Sequence, residues 1–300
     1  MRNTFGCEEY YGAPNRSSSL AFTRLDLVAT TFVLGFLGLL SMAAASNNRG
    51  GSQSAVCLAN LRGLTQGWQQ FALDHGHFAP NPDDGNISPG YNWVPGSAAM
   101  GSPQEFNSDI LGDRSRSLLF GYLRRPDVAI FRCPSDASFG KYEGRDLQKA
   151  GTLVPKARSY SMNGAVGTNP YLFGGETPVD GPWLDNNHSH QRGETWRTYG
   201  RFDDIVAPSP EGLVVLVDED AFSIGTGLFG FGMQREEWIS RPATRHNSGG
   251  TLSFADGHVE LRHWIDPQTA VRNGNVRILA VPGSVDYAWL HDRISARIHP

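Results

Sequence analysis

Between Leu27 and Ala45 the chain runs for 19 residues without a charge, and its only polar residues there are Thr30, Thr31 and Ser41. A bilayer core takes about 20 residues of helix, so the run is long enough to span. It also exceeds the roughly 7–15 residues of a secretory signal's apolar region. This predicts a transmembrane helix over about 27–45. The chain is then expected to be a single-pass protein of the inner (cytoplasmic) membrane with its body on the extracytoplasmic side. Arg16 and Arg24 precede the run and Arg49 and Arg62 follow it, so the charge bias across it is weak. Asp26 sits just inside its start. A carboxylate in a membrane helix costs several kcal/mol unless it is paired or reaches the interface, and either Arg24 or lipid headgroups can serve it there.

The segment 46–54, "SNNRGGSQS", is rich in turn-forming residues that weaken helices. It predicts a kink. Helical spacing then resumes: Cys57, Leu61, Leu64, Trp68 and Phe71 recur at intervals of 4, 3, 4 and 3. That spacing gives an amphipathic half over 55–75 with one buried face. "DHGHFAPNPDDG" ends it. The remainder, 76–300, reads as a β-rich body. Gly 35 and Pro 18 together make about 18% of the chain, against roughly 12% in an average protein, an excess that favours turns and long loops. "DVAIF" (127–131), "GLVVLVDE" (212–219) and "GTLSFADGHVELRHW" (250–264) are the strand candidates. In the last, an Asp-Gly turn of type I′ is expected to join two strands. The fold class is therefore α+β: a long N-terminal transmembrane helix packed on an antiparallel sheet head with long loops. A net charge of -4 excludes the basic surface that nucleic-acid binding needs. Three cysteines are too few for a disulfide scaffold.

"AFTRLDLVATTFVLGFLGLL" resembles the amino-terminal signal of type IV pilin-like proteins, the prepilins and pseudopilins. The resemblance implies a leader, residues 1–21, cut by a prepilin peptidase between Ala21 and Phe22, with methylation of the new amine; the family carries Gly where this chain has Ala21. It also implies a helix over 22–75. The acidic residue five places into the mature chain, Glu in the family, is Asp26 here. Its implied role is to meet the amine of a neighbouring subunit and fix axial register. "CLANLRGLTQGWQQFALDHGHF" (57–78), "FRCPSD" (131–136), "SYSMNG" (159–164), "LVDED" (216–220) and "DYAWLHDR" (286–293) are similar to the pseudopilin-like group abundant in planctomycetes. So is the spacing His246, nine residues, Asp256-Gly257 (246–257). The resemblance implies a structural, non-catalytic subunit of a type II secretion or type IV pilus-like envelope assembly. Its implied partners are the peptidase, sister subunits and an inner-membrane assembly platform, with no cofactor.

The chemistry-bearing residues allow more than one reading. Outside the cytosol Cys57 and Cys133 can form a disulfide; alternatively they are two buried thiols. His246, Asp256 and His258 can hold a turn together, bind Ca2+ or Zn2+, or act as an acid–base pair. Some pseudopilins hold calcium in a carboxyl-terminal loop, which makes the hard-oxygen set Asp218, Glu219 and Asp220 a candidate Ca2+ site. Two alternatives to the assembly subunit follow: a non-assembling single-pass protein with a binding head, and a metal-dependent envelope hydrolase centred on His246, Asp256 and His258.

Overall fold

The computed structural model describes residues 24–170, 177–270 and 278–299. Ala21, Phe22 and the leader lie outside them. The chain divides into two compact units, 1–49 and 50–300. Helix α1, Arg24–His75, runs through both and is helical without interruption over 46–54, so the kink expected from "SNNRGGSQS" is not found. No helix among the described residues is long and apolar enough to cross a membrane. The transmembrane helix over 27–45, the fold class built on it and the single-pass inner-membrane placement are corrected on this finding. Asp26 lies in the first turn of α1.

The second unit is organised by one sheet. Its elements are β1 (Phe139–Lys141), β2 (Leu153–Pro155), β3 (Tyr160–Asn163), β4 (Val214–Asp218), β5 (Leu228–Phe229), β6 (Glu237–Trp238), β7 (Gly249–Phe254), β8 (Val259–His263), β9 (Leu279–Ala280) and α2 (Val285–Ile294). The central sheet has the order β5-β3-β4-β7-β8; β1 pairs with β2 and β6 with β9 as separate ribbons. All central pairings are antiparallel except β3 with β5. Strands β3, β4 and β7 are buried along their whole length, which requires cover on both faces of the sheet. The second half of α1 covers one face. Cys57, Leu61, Leu64, Trp68 and Phe71, the stripe expected from the spacing, are all buried, and Gln69 donates to the carbonyl of Ala255 just past β7. Helix α2 covers the other face with Tyr287, Leu290 and Ile294. Asn163 of β3 donates to the Ile294 carbonyl there.

Two local expectations change. "DVAIF" is a 3₁₀ turn over Val128–Phe131 instead of a strand; the Asp127 carboxylate accepts from Ala129 N–H and starts it. The hairpin of β7 and β8 forms, but its turn is not type I′. Gly257 N–H donates to Phe254 O, and Gly257 alone takes a positive φ, +97°, so the turn places one left-handed residue after a type I-like bend. A Cβ at 257 is forced into a backbone region that L residues avoid and lies about 3.0 Å from Gln69. Gly257→Ala is expected to cost about 1–3 kcal/mol. The check is a lower urea midpoint at unchanged slope.

Candidate functional site

Strand register builds the site. Tyr160 pairs with Asp218, and Val217 with Leu252, so Tyr160, Asp218 and Thr251 lie in one row across β3, β4 and β7. Alternation along each strand sends the three side chains to the α1 face. Cys57 of α1 stands over that row: its Sγ is 3.0 Å from the Tyr160 hydroxyl, 3.1 Å from the Thr251 hydroxyl and 3.9 Å from Asp218 Oδ2. Two more segments close the site from the side. The "FRCPSD" segment supplies Cys133, and the segment before β7 supplies His246, with Cys133 Sγ 3.2 Å from His246 Nε2. His246 Nε2 is also 3.8 Å from Asp218 Oδ2. One ligand-type atom from each of Cys57, Cys133, Asp218 and His246 lies within 4.8 Å of the others, and all four residues are buried. Both cysteines are free thiols.

A surrounding layer fixes these groups. The Ser54 hydroxyl is 3.1 Å from His246 Nδ1, which aims Nε2 into the cluster. Arg245 bonds Asp218 and, at 3.0 Å, Asp136, and Ser159 donates to Asp136 at 2.7 Å. Burial pushes the Asp218 carboxyl up to about 6 even though Arg245 and His246 pull it down. The Cys133 thiol is pushed far up, first by its hydrogen bonding with Cys57 and then by burial. Burial works against a proton on His246, but Cys133 and Asp218 outweigh it and its pKa is raised. The Cys133 thiol and the Asp218 carboxyl therefore hold their protons more tightly here than they would in water.

The residues singled out from sequence are distributed unevenly. Cys57, Cys133, Asp218 and His246 converge. Asp256 and Gly257 stand at the far end of β7, six residues of strand or about 20 Å from His246, so His246, Asp256 and His258 do not form one site. Asp256 accepts from His258 N–H and pairs with its ring within the hairpin turn. Asp218, Glu219 and Asp220 diverge. Glu219 is buried and accepts from the Ser223 hydroxyl, Asp220 faces Arg241, and no common Ca2+ cage results. Sequence reading missed Ser54, Asp136, Tyr160, Arg245 and Thr251. The signal available was their polarity inside otherwise apolar strands or beside the Cys and His motifs. Four separately quoted stretches, "CLANL", "FRCPSD", "SYSMNG" and "LVDED", turn out to meet at this cluster.

No protein-family model, curated protein or solved structure matches the chain.

Proposed function

We propose that this protein is a pilin-like structural subunit that self-associates through the first half of α1 and is built to present its sheet-centred body in an assembly. The observation that carries the reading is the exposed apolar surface of that half-helix. Val28, Phe32, Val33, Leu34 and Phe36 are 57–79% exposed, all within nine residues. An apolar patch of this density marks an interaction surface. Helices of sister subunits are the occupants that the prepilin-like sequence around Phe22 and Asp26 calls for. A prepilin peptidase and an assembly platform are the further partners of this reading. The role is mechanical and not catalytic.

The test is assembly of the full chain, followed by sedimentation and by mass spectrometry of the amino-terminus in the native host. Multimers are expected, and Phe32→Glu is expected to reduce them at least tenfold while the urea transition of the body stays unchanged. An amino-terminal methyl-Phe22 is expected as well. A chain that stays monomeric at all concentrations, or a Phe32→Glu chain that assembles normally, refutes the reading.

A further inference from the structure

We propose that Cys57, Cys133, Asp218 and His246 form a closed structural site for a tetrahedral divalent metal ion of the zinc class, one that pins α1 to the sheet. The inference is independent of the assembly reading. Its first support is chemistry. Two thiols, an imidazole and a carboxylate are the ligand types that zinc takes, and a full set of four protein ligands is the mark of a structural zinc site as opposed to a catalytic one. Its second support is geometry. With Zn–S of about 2.3 Å and Zn–N or Zn–O of about 2.0–2.1 Å, tetrahedral ligand–ligand edges are about 3.3–3.8 Å. Three of the six edges are 3.2 Å for Cys133 to His246, 3.9 Å for Cys57 to Asp218 and 3.8 Å for His246 to Asp218, and all six are within 4.8 Å. A shift of about 0.5 Å or less in each of these three brings it to the ideal value.

The third support is the outer layer. Zinc-bound histidine needs its second ring nitrogen held, and Ser54 is placed at His246 Nδ1. The hydroxyls of Tyr160 and Thr251 stand at hydrogen-bond distance from Cys57 Sγ, where they can donate to a thiolate. Arg245, bonded to Asp218 and Asp136, offsets the negative charge left when two thiolates and one carboxylate surround a doubly charged cation. Binding replaces the two thiol protons with the metal and releases them to solvent. The four ligands come from α1, the segment after the 3₁₀ turn, β4 and the segment before β7. A metal there joins four chain segments that are otherwise held together by hydrogen bonds and ion pairs such as Ala243 N–H to the Asp218 carbonyl and Arg245 to Asp136.

The full chain carrying Cys7→Ser, isolated under metal-sparing conditions, tests the site by elemental mass spectrometry. About one zinc ion per chain is expected, reduced about tenfold or more in Cys133→Ser and in His246→Ala. The same wild-type chain, stripped with chelator and titrated with Co2+, is expected to give thiolate-to-cobalt charge-transfer absorption and intense visible bands of a tetrahedral site, so the outcome does not depend on the variants folding. Alkylation of the unreduced, denatured chain is expected to label both Cys57 and Cys133. A Cys57–Cys133 disulfide, a wild type that gives no tetrahedral cobalt spectrum, or variants that keep the metal overturn the proposal.

Discussion

Trp68→Ala is expected to lower the stability of the chain by about 3–5 kcal/mol, the range for truncating a fully buried large aromatic. Trp68 has no exposed surface. Its ring lies 4.3 Å from Phe78 and 5.6 Å from Phe202, and those two rings meet edge to face at 5.0 Å. The three rings join α1, the segment that follows it and the turn at 202–204. Alanine leaves a void against residues held by the sheet, which limits collapse into it. The indole Nε1 is buried without a hydrogen-bond partner among the described residues, so truncation breaks no hydrogen bond and the whole loss is apolar contact and cavity. Trp68→Phe is expected to cost less than half as much because it keeps a ring and removes the unpaired N–H. Leu73→Ala, five residues on and 71% exposed, is expected to change stability by less than about 0.5 kcal/mol. Urea denaturation of the full chain followed by far-UV circular dichroism checks all three. A Trp68→Ala midpoint equal to that of Leu73→Ala refutes the anchoring of α1 by this face.

The buried stripe of α1 was legible in the sequence because a helix face depends only on local spacing. The intervals between Cys57 and Phe71 place five side chains on one side whatever the rest of the chain does. The β7–β8 hairpin was legible for the same reason, although its turn type was not: Asp256-Gly257 is compatible with more than one loop, and only Gly257 takes the positive φ. "DVAIF" misled because a short apolar run fits both a strand and a turn; Asp127 as a cap was the clue that decides for the turn.

The cluster itself was half legible. Each ligand type stood out, but their meeting depends on register. Tyr160 opposite Asp218, and Thr251 one strand over, follow from pairings between segments roughly 35–60 residues apart, which no local pattern encodes. His246 was therefore grouped with Asp256 and His258, its neighbours in sequence, instead of with two cysteines more than 100 residues upstream. The apolar half of α1 shows the opposite failure. Lack of charge over 19 residues reads as a span, yet no helix among the described residues is long and apolar enough to cross a membrane; the exposed apolar side chains described there are Val28, Phe32, Val33, Leu34 and Phe36.

Arg158→Met is the second large effect, expected to cost about 3–5 kcal/mol by removing one partner of a buried polar network. The side chain is 2% exposed. Its guanidinium donates to the Tyr160 carbonyl at 3.0 Å, to the Ser161 hydroxyl at 3.2 Å and to the carbonyls of Gly225 and Thr226. These bonds tie the start of β3 to the loop before β5. Its charge also acts on Glu219, a fully buried carboxyl that burial pushes up to about 7 and that Ser161, Ser240 and Arg158 pull back down. Methionine keeps the apolar volume but leaves the carbonyls of 160, 225 and 226 without these donors and Glu219 without its cation. Part of the loss therefore belongs to Glu219 and not to Arg158. Glu219→Gln in the Arg158→Met background is expected to recover about 1–2 kcal/mol, where Glu219→Gln alone is destabilising, giving a coupling within the usual 0.5–3 kcal/mol for groups in contact. A double-mutant cycle by urea denaturation measures it. Additive effects place the cost of Arg158 in its own hydrogen bonds to Tyr160, Ser161, Gly225 and Thr226 and not in Glu219, and a single-variant cost under about 1 kcal/mol removes the network from any account of what holds β3 to β5.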